Sequence, residues 1–208
     1  RENQPPECSP AELIKMPIST DLQENMDRLS VLLNSCSDAV MKEFSFGNPS
    51  IRAFIVYFDG LTDKIQIETN LLKPLLLELN MQKQSPLQCQ NKDILSQVQD
   101  QILSMAELKK LETLQEICHH ITSGDTVLLV DGCSSGLVAG TRSWQGRPVQ
   151  APENEVTVFG PKEGFNETLR FNTAILRRRI KSTRFKIDSI VLGRITKTDV
   201  VVCYIENL

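Results

Sequence analysis

Leu22, Met26, Leu29, Leu33, Cys36 and Val40 recur at alternating steps of four and three. That spacing predicts an amphipathic helix running to about Lys42, with Ser19, Thr20 or Asp21 as its N-cap. Ile51 to Phe58 is almost continuously apolar and β-branched or aromatic, so it predicts a strand buried on both faces. Asp59-Gly60 ends it in a turn. A helical stretch follows from about Asp63 to Leu79, broken or kinked at Pro74. Ile94, Val98, Ile102 and Met105 predict a further helix.

Leu108, Leu111, Leu114, Cys118 and Ile121 read as one helical stripe, with Gly124 placed for a left-handed C-cap. Thr126 to Asp131 is a strand, Gly132 to Ser135 a turn, and Gly136 to Arg142 a return strand. Val156 to Phe159 is a short strand. Gly160-Pro161 then turns the chain into a helix from about Lys162 to Lys181, with Phe165, Leu169, Leu176 and Ile180 on its buried face. Ile187 to Ile195 and Asp199 to Ile205 close the pattern as a hairpin. The sum is a mixed α/β fold of two subdomains, each a small sheet packed with helices. Residues 19–105 form the first and 106–208 the second, with a hinge around 104–108. Residues 1–18 hold four prolines and read as a linker or flexible arm.

The chain has 208 residues, 40% hydrophobic, enough for one large or two small cores. A net charge of -3 and 5% aromatic content point away from nucleic-acid binding. No apolar run approaches the roughly 18 residues needed to span a bilayer. The six cysteines include no CxxC pair, so no metal site and no cofactor are expected. Cys36 and Cys118 read as buried thiols on apolar helix faces, which favours a reducing compartment.

Three polar segments are candidates for chemistry. Asp59, Gly60 and Asp63 stand where a strand ends and a helix begins, the usual ligand position in α/β units; their ordinary role is turn and cap. Gly160, Pro161, Glu163 and Glu167 surround a predicted helix start, which attracts anions or supplies its own acidic cap. Arg177 begins the basic run Arg177-Arg178-Arg179, with Lys181, Arg184 and Lys186. A solvated face is its default reading. Ion pairing to the acidic first unit and proximity to anionic lipid are the sharper ones. Asp59, Asp63, Glu163 and Arg177 are the polar residues expected in a cleft between subdomains. Cys133 sits in a strand-turn-strand segment with no marked base or orienting group, so no enzyme is expected.

Together these segments resemble the GerA family of spore germinant receptors, specifically the A subunit. The resemblance covers about residues 25 to 208. It rests on Ser37 to Phe44, Tyr57 to Asp63, Leu72 to Leu75, Asp125 to Gly132, Gly160 to Glu167, Asn172 with Arg177 to Ile180, and Tyr204 to Glu206. It implies two α/β subdomains preceding a multi-spanning part in the inner spore membrane, entered after Leu208. It also implies B and C subunits as partners and a response to amino acids, sugars or nucleosides that triggers germination. The free cysteines and the closing basic run favour the cytoplasmic (spore core) side for this domain.

Overall fold

The computed structural model describes residues 9–78, 95, 98, 108–143 and 164–206. Its class is mixed α/β, as the sequence predicts. One sheet has five strands, in the order β1-β2-β4-β5-β3, and a second has two, β6-β7. The strands are β1 (Ala39–Phe46), β2 (Ile51–Phe58), β3 (Leu108–Leu111), β4 (Thr126–Val130), β5 (Gly136–Ala139), β6 (Phe185–Leu192) and β7 (Thr198–Ile205). All pairings within both sheets are antiparallel. The expected division near residue 106 lies outside the described residues. The five-stranded sheet takes β1 and β2 from before it and β3, β4 and β5 from after it, through the ladder Ala53↔Val130 to Val56↔Val127.

Strand alternation explains the continuous apolar character of β2 and β4. Phe54, Val56, Phe58, Val127 and Leu129 point to one face. There they meet α2 (Leu22–Leu32) through Leu22 and Leu29, and α4 (Leu114–Thr122) through Leu114, Ile117 and Ile121. Ala53, Ile55, Leu128 and Val130 point to the other. There they meet Ile67, Leu71 and Leu75 and the helical Leu95 and Val98. A short helix α3 (Lys64–Gln66) continues in wider turns through Ile67–Leu72 and Pro74–Glu78, so Pro74 is accommodated within a helical run.

Several local expectations change in three dimensions. The first long helix, capped by Asp21 accepting from the Gln23 N–H, stops at Leu32. Ser35 adopts φ 55, and the chain turns into β1. The predicted helical stripe from Leu108 begins as β3 instead, and the helix starts after Thr113, whose hydroxyl forms a capping box with Glu116. The described part of the expected arm is packed. Ser9 caps α1 (Pro10–Leu13), Leu13 and Ile18 are buried, and Pro17 bridges Thr113. The last helix, α5, spans Leu169–Arg179 and does not begin near Lys162. Asn166 accepts from the Thr168 N–H at 2.8 Å, and the Asn172 amide closes the lead-in by donating to the Asn166 carbonyl. Glu167 therefore precedes the helix, and Phe165 is 67% exposed rather than on a buried face. The β6–β7 hairpin is held at its base by Ile187, which exchanges backbone hydrogen bonds with Ser35 and Ser37.

Candidate functional site

A cavity of about 500 Å³ lies between the turn after β2 and the helix α5. Its first wall is Asp59, Gly60, Thr62, Asp63, Lys64 and Ile65. Gly60 has φ +89, and a Cβ there would stand 3.1 Å from Ala174 Cβ. The turn thus needs a glycine both for its left-handed backbone and for the close approach of α5. Leu61 and Asp63 are pinned to the chain after β5: the Asp63 N–H donates to the Thr141 carbonyl at 2.8 Å, and the Ser143 N–H to the Leu61 carbonyl at 2.9 Å. Ser143 reaches the rim through this ladder. The opposite wall comes from Asn166, Thr168 and from Arg170, Phe171, Ala174 and Arg178 of α5.

Charge on these walls is divided unevenly. The Asp63 carboxylate accepts from the N–H groups of Ile65 and Gln66, so it is engaged as the cap of α3. Asp59 is shared between Lys64 Nζ at 2.9 Å and Arg170 Nε at 3.5 Å. Asp59, Gly60 and Asp63 are thus brought together at one cavity, and the cap role foreseen for this segment falls to Asp63. Glu167 is exposed and does not line the cavity. Gly160, Pro161 and Glu163 lie outside the described residues, as do the expected strand at 156–159 and the hinge segment before Leu108.

Arg177 is elsewhere, and buried. Its guanidinium is 0% exposed and Asp38 is 2% exposed. Nε donates to Asp38 Oδ2 at 2.9 Å and Nη2 to Oδ1 at 2.7 Å, a two-pronged pair. Nη1 donates to the carbonyls of Phe185 at 2.7 Å and Ser182 at 3.2 Å. The rings of Phe58 and Phe185 flank the guanidinium with centroids 4.2 and 4.9 Å away. One side chain therefore ties α5 to the entry of β1, the end of β2 and the start of β6. Of the three consecutive arginines, Arg177 enters the core and Arg178 faces the cavity, because successive residues on a helix point about 100° apart.

A second polar cluster supports the rim. Asp125 accepts two bonds from Arg142, each 2.8 Å, and pairs with His120 Nδ1 at 2.9 Å. Gly124, with φ +96, holds this corner against the Leu61 carbonyl. Burial pushes the Asp125 carboxyl up, but the Arg142 guanidinium and His120 outweigh it and hold it below the usual carboxylate range. A carboxyl lowered by folding adds stability that is present above its unfolded value near pH 4 and is lost as pH falls through the folded value. Between pH 5 and 3 the parent chain therefore loses stability that Asp125→Asn does not lose. Urea unfolding at the two pH values measures the difference; parallel acid losses in both chains would remove Asp125 from this role.

Sequence reasoning missed Asp38, Arg142, Arg170 and Arg178 as structural partners. The only local signal was the basic run itself. Cys133 is buried, and desolvation together with Asp131 pushes its thiol up, away from nucleophilic reactivity. Burial pushes Cys118 up to about 12. Cys36, Cys118 and Cys133 are buried, and Cys203 is exposed. Cys36 lies in the turn into β1 rather than on a helix. Among the described residues, no group of three His, Cys, Asp or Glu is placed to hold a metal, and no helix is long and apolar enough to cross a membrane.

Comparison with known proteins adds a consistent set of likenesses. A family model described as Bacillus/Clostridium GerA spore germination protein matches residues 27–208. Uncharacterized membrane protein YfkQ of Bacillus subtilis (strain 168) is 36% identical over 192 residues, covering 92% of this chain and 36% of that protein. Spore germination protein B1 of the same organism is 33% identical over 193 residues, covering 93% and 38%. The crystal structure of the N-terminal domain of the A subunit of the Bacillus megaterium spore germinant receptor GerK3 aligns with a TM-score of 0.68 at 26% identity. That alignment covers 93% of this chain and 68% of the solved one. The chain spans little more than a third of the length of these two curated relatives. With most of its length matched by the family model, and its fold shared with a receptor domain, the chain belongs to the GerA family of spore germination proteins.

Proposed function

We propose that this chain is the N-terminal region of a spore germinant receptor A subunit, taking part in nutrient sensing and coupling it to a membrane-embedded remainder. The observation that carries this reading is the match over residues 27–208 together with the likeness to the GerK3 domain. In this reading the whole subunit sits in the inner spore membrane with B and C subunits as partners, and this region faces the spore core. The role is one of interaction, not catalysis. The raised thiol of buried Cys133 supports that, since a nucleophile needs the opposite shift. The Arg177 clamp supports a coupling role. Any displacement of α5 is felt at once by β1, β2 and β6, which are rigid elements of two sheets.

The test is made in the full-length receptor. Asp59→Lys reverses charge at a half-buried position on the turn beside α5, outside the apolar core. It is expected to slow nutrient-triggered germination of spores while the receptor remains present at normal level. Germination at the parental rate would exclude this turn from coupling.

A second reading has its own support in the cavity of about 500 Å³, a size suited to a small metabolite. In it the germinant itself, an amino acid, sugar or nucleoside, binds this domain directly. A ligand at 100 times its Kd raises stability by about 2.7 kcal/mol, read as a higher melting temperature. Absence of any shift across the three ligand classes leaves the coupling role alone.

A further inference from the structure

We infer that the cavity between the β2 turn and α5 takes a small organic oxyanion, carrying a carboxylate or phosphate, with Arg178 as its principal anchor. This rests on the direct-binding reading above and names the ligand chemistry of the same cavity. The walls hold three cationic side chains, Lys64, Arg170 and Arg178, and two carboxylates, Asp59 and Asp63. Both carboxylates are already engaged. Asp63 accepts two backbone N–H groups at the start of α3. Asp59 takes Lys64 at 2.9 Å, and Arg170 only at the longer 3.5 Å. Arg178 is half-buried, lines the cavity and forms no ion pair among the described residues.

A partly desolvated guanidinium facing an open cavity is suited to a planar or tetrahedral oxyanion, which it grips through two parallel N–H donors. Arg170 and Arg178 stand eight residues apart, about 12 Å along the helix. They therefore mark two ends of the α5 wall, and Arg170 is weakly enough held by Asp59 to turn toward a ligand. Between them Phe171 and Ala174, with Ile65 opposite, offer an apolar surface for the carbon body. Ser143 and Thr168 add hydroxyls at the rim. The volume of about 500 Å³ admits such a molecule, as small-ligand pockets run from about 300 to 1,000 Å³.

The experiment titrates inorganic phosphate, glucose 6-phosphate, propionate and glucose into the 208-residue chain, following heat and the Nε resonance of Arg178. The expected result is saturable binding of a phosphate-bearing or a carboxylate-bearing probe, with the Arg178 resonance shifting. The two arms tell which oxyanion is preferred. Arg178→Gln raises the Kd at least tenfold, whereas Arg194→Gln, the same charge change on the exposed hairpin turn, leaves it unchanged. Should Arg178→Gln fail to unfold cooperatively, Arg178→Lys keeps the charge without the fork and is expected to weaken binding less. Equal weakening by Arg178→Gln and Arg194→Gln, or none by either, overturns the anchor. Binding of glucose in the cavity with no binding of any oxyanion overturns the ligand class and leaves the direct-binding reading standing. Silence from all four probes overturns the oxyanion assignment as well.

Discussion

Asp38→Ala is expected to lower folding stability by about 3–5 kcal/mol, because it leaves the Arg177 guanidinium charged, buried and without its carboxylate. The pair is the most enclosed ionic contact among the described residues, at 0% and 2% exposure. At such depth the cost of desolvating a lone cation exceeds anything the two remaining carbonyl acceptors restore. Arg177→Met also lowers stability, since it keeps an apolar stem between Phe58 and Phe185 but leaves the Asp38 carboxylate buried without its cation. The double change Asp38→Leu with Arg177→Met recovers most of the loss, since an apolar pair of similar volume replaces a buried ion pair at little cost. Urea unfolding of the parent, Asp38→Leu, Arg177→Met and the double variant gives the coupling directly. A loss under about 1 kcal/mol for Asp38→Ala would mean that water reaches the guanidinium and the clamp does not hold α5.

Phe58→Ala ranks next, at about 3–5 kcal/mol. Its ring is wholly buried in the core beneath α2 and α4 and also forms one face of the Arg177 cage. Truncation opens a cavity at the end of β2, one residue before the Asp59 turn. It also removes a cation–π contact worth up to about 2 kcal/mol when desolvated. Phe58→Leu separates the two effects, retaining most of the volume and losing the ring. If Phe58→Leu in the Arg177→Met background costs as much as it does in the parent, the ring contributes packing alone. At roughly 2–4 °C per kcal/mol for a chain of this size, both alanine variants melt well below the parent.

These two positions mark where sequence reasoning stopped. Arg177 stands in a run of three arginines, and a charge run reads as a solvated face because an isolated buried guanidinium is so costly. Only a carboxylate 139 residues away makes burial possible. The same holds at the candidate site. Asp59, Gly60 and Asp63 were legible because a strand ending in Asp-Gly and entering a helix has a local signature. Arg170 and Arg178 were not, since nothing local says which side of α5 faces that turn.

Local chemistry alone placed β2, the β6–β7 hairpin, a helix cap within Ser19 to Asp21 and the left-handed Gly124, because each is set by alternation or by backbone conformation within a few residues. It also carried the family resemblance, which depends on the order of short motifs rather than on contacts. It misassigned β1 and β3, and the reason is the same in both. Leu108 and Leu111, three apart, fit one helix face. In the folded chain they stand on opposite faces of a strand, Leu111 packing under α2 and α4 and Leu108 against the other core. A spacing of three satisfies either geometry, and β5 decides between them by pairing with β3. Residues 39–46 likewise become a strand because β2 offers a full ladder from Ala39↔Phe58 to Phe46↔Ile51. The sequence by itself determined the mixed α/β class, the Asp59-Gly60 turn and the family. The joining of strands from both halves into one sheet, and the burial of Arg177, were decided only in the tertiary structure. Both depend on partners far apart in the chain, which no local propensity can specify.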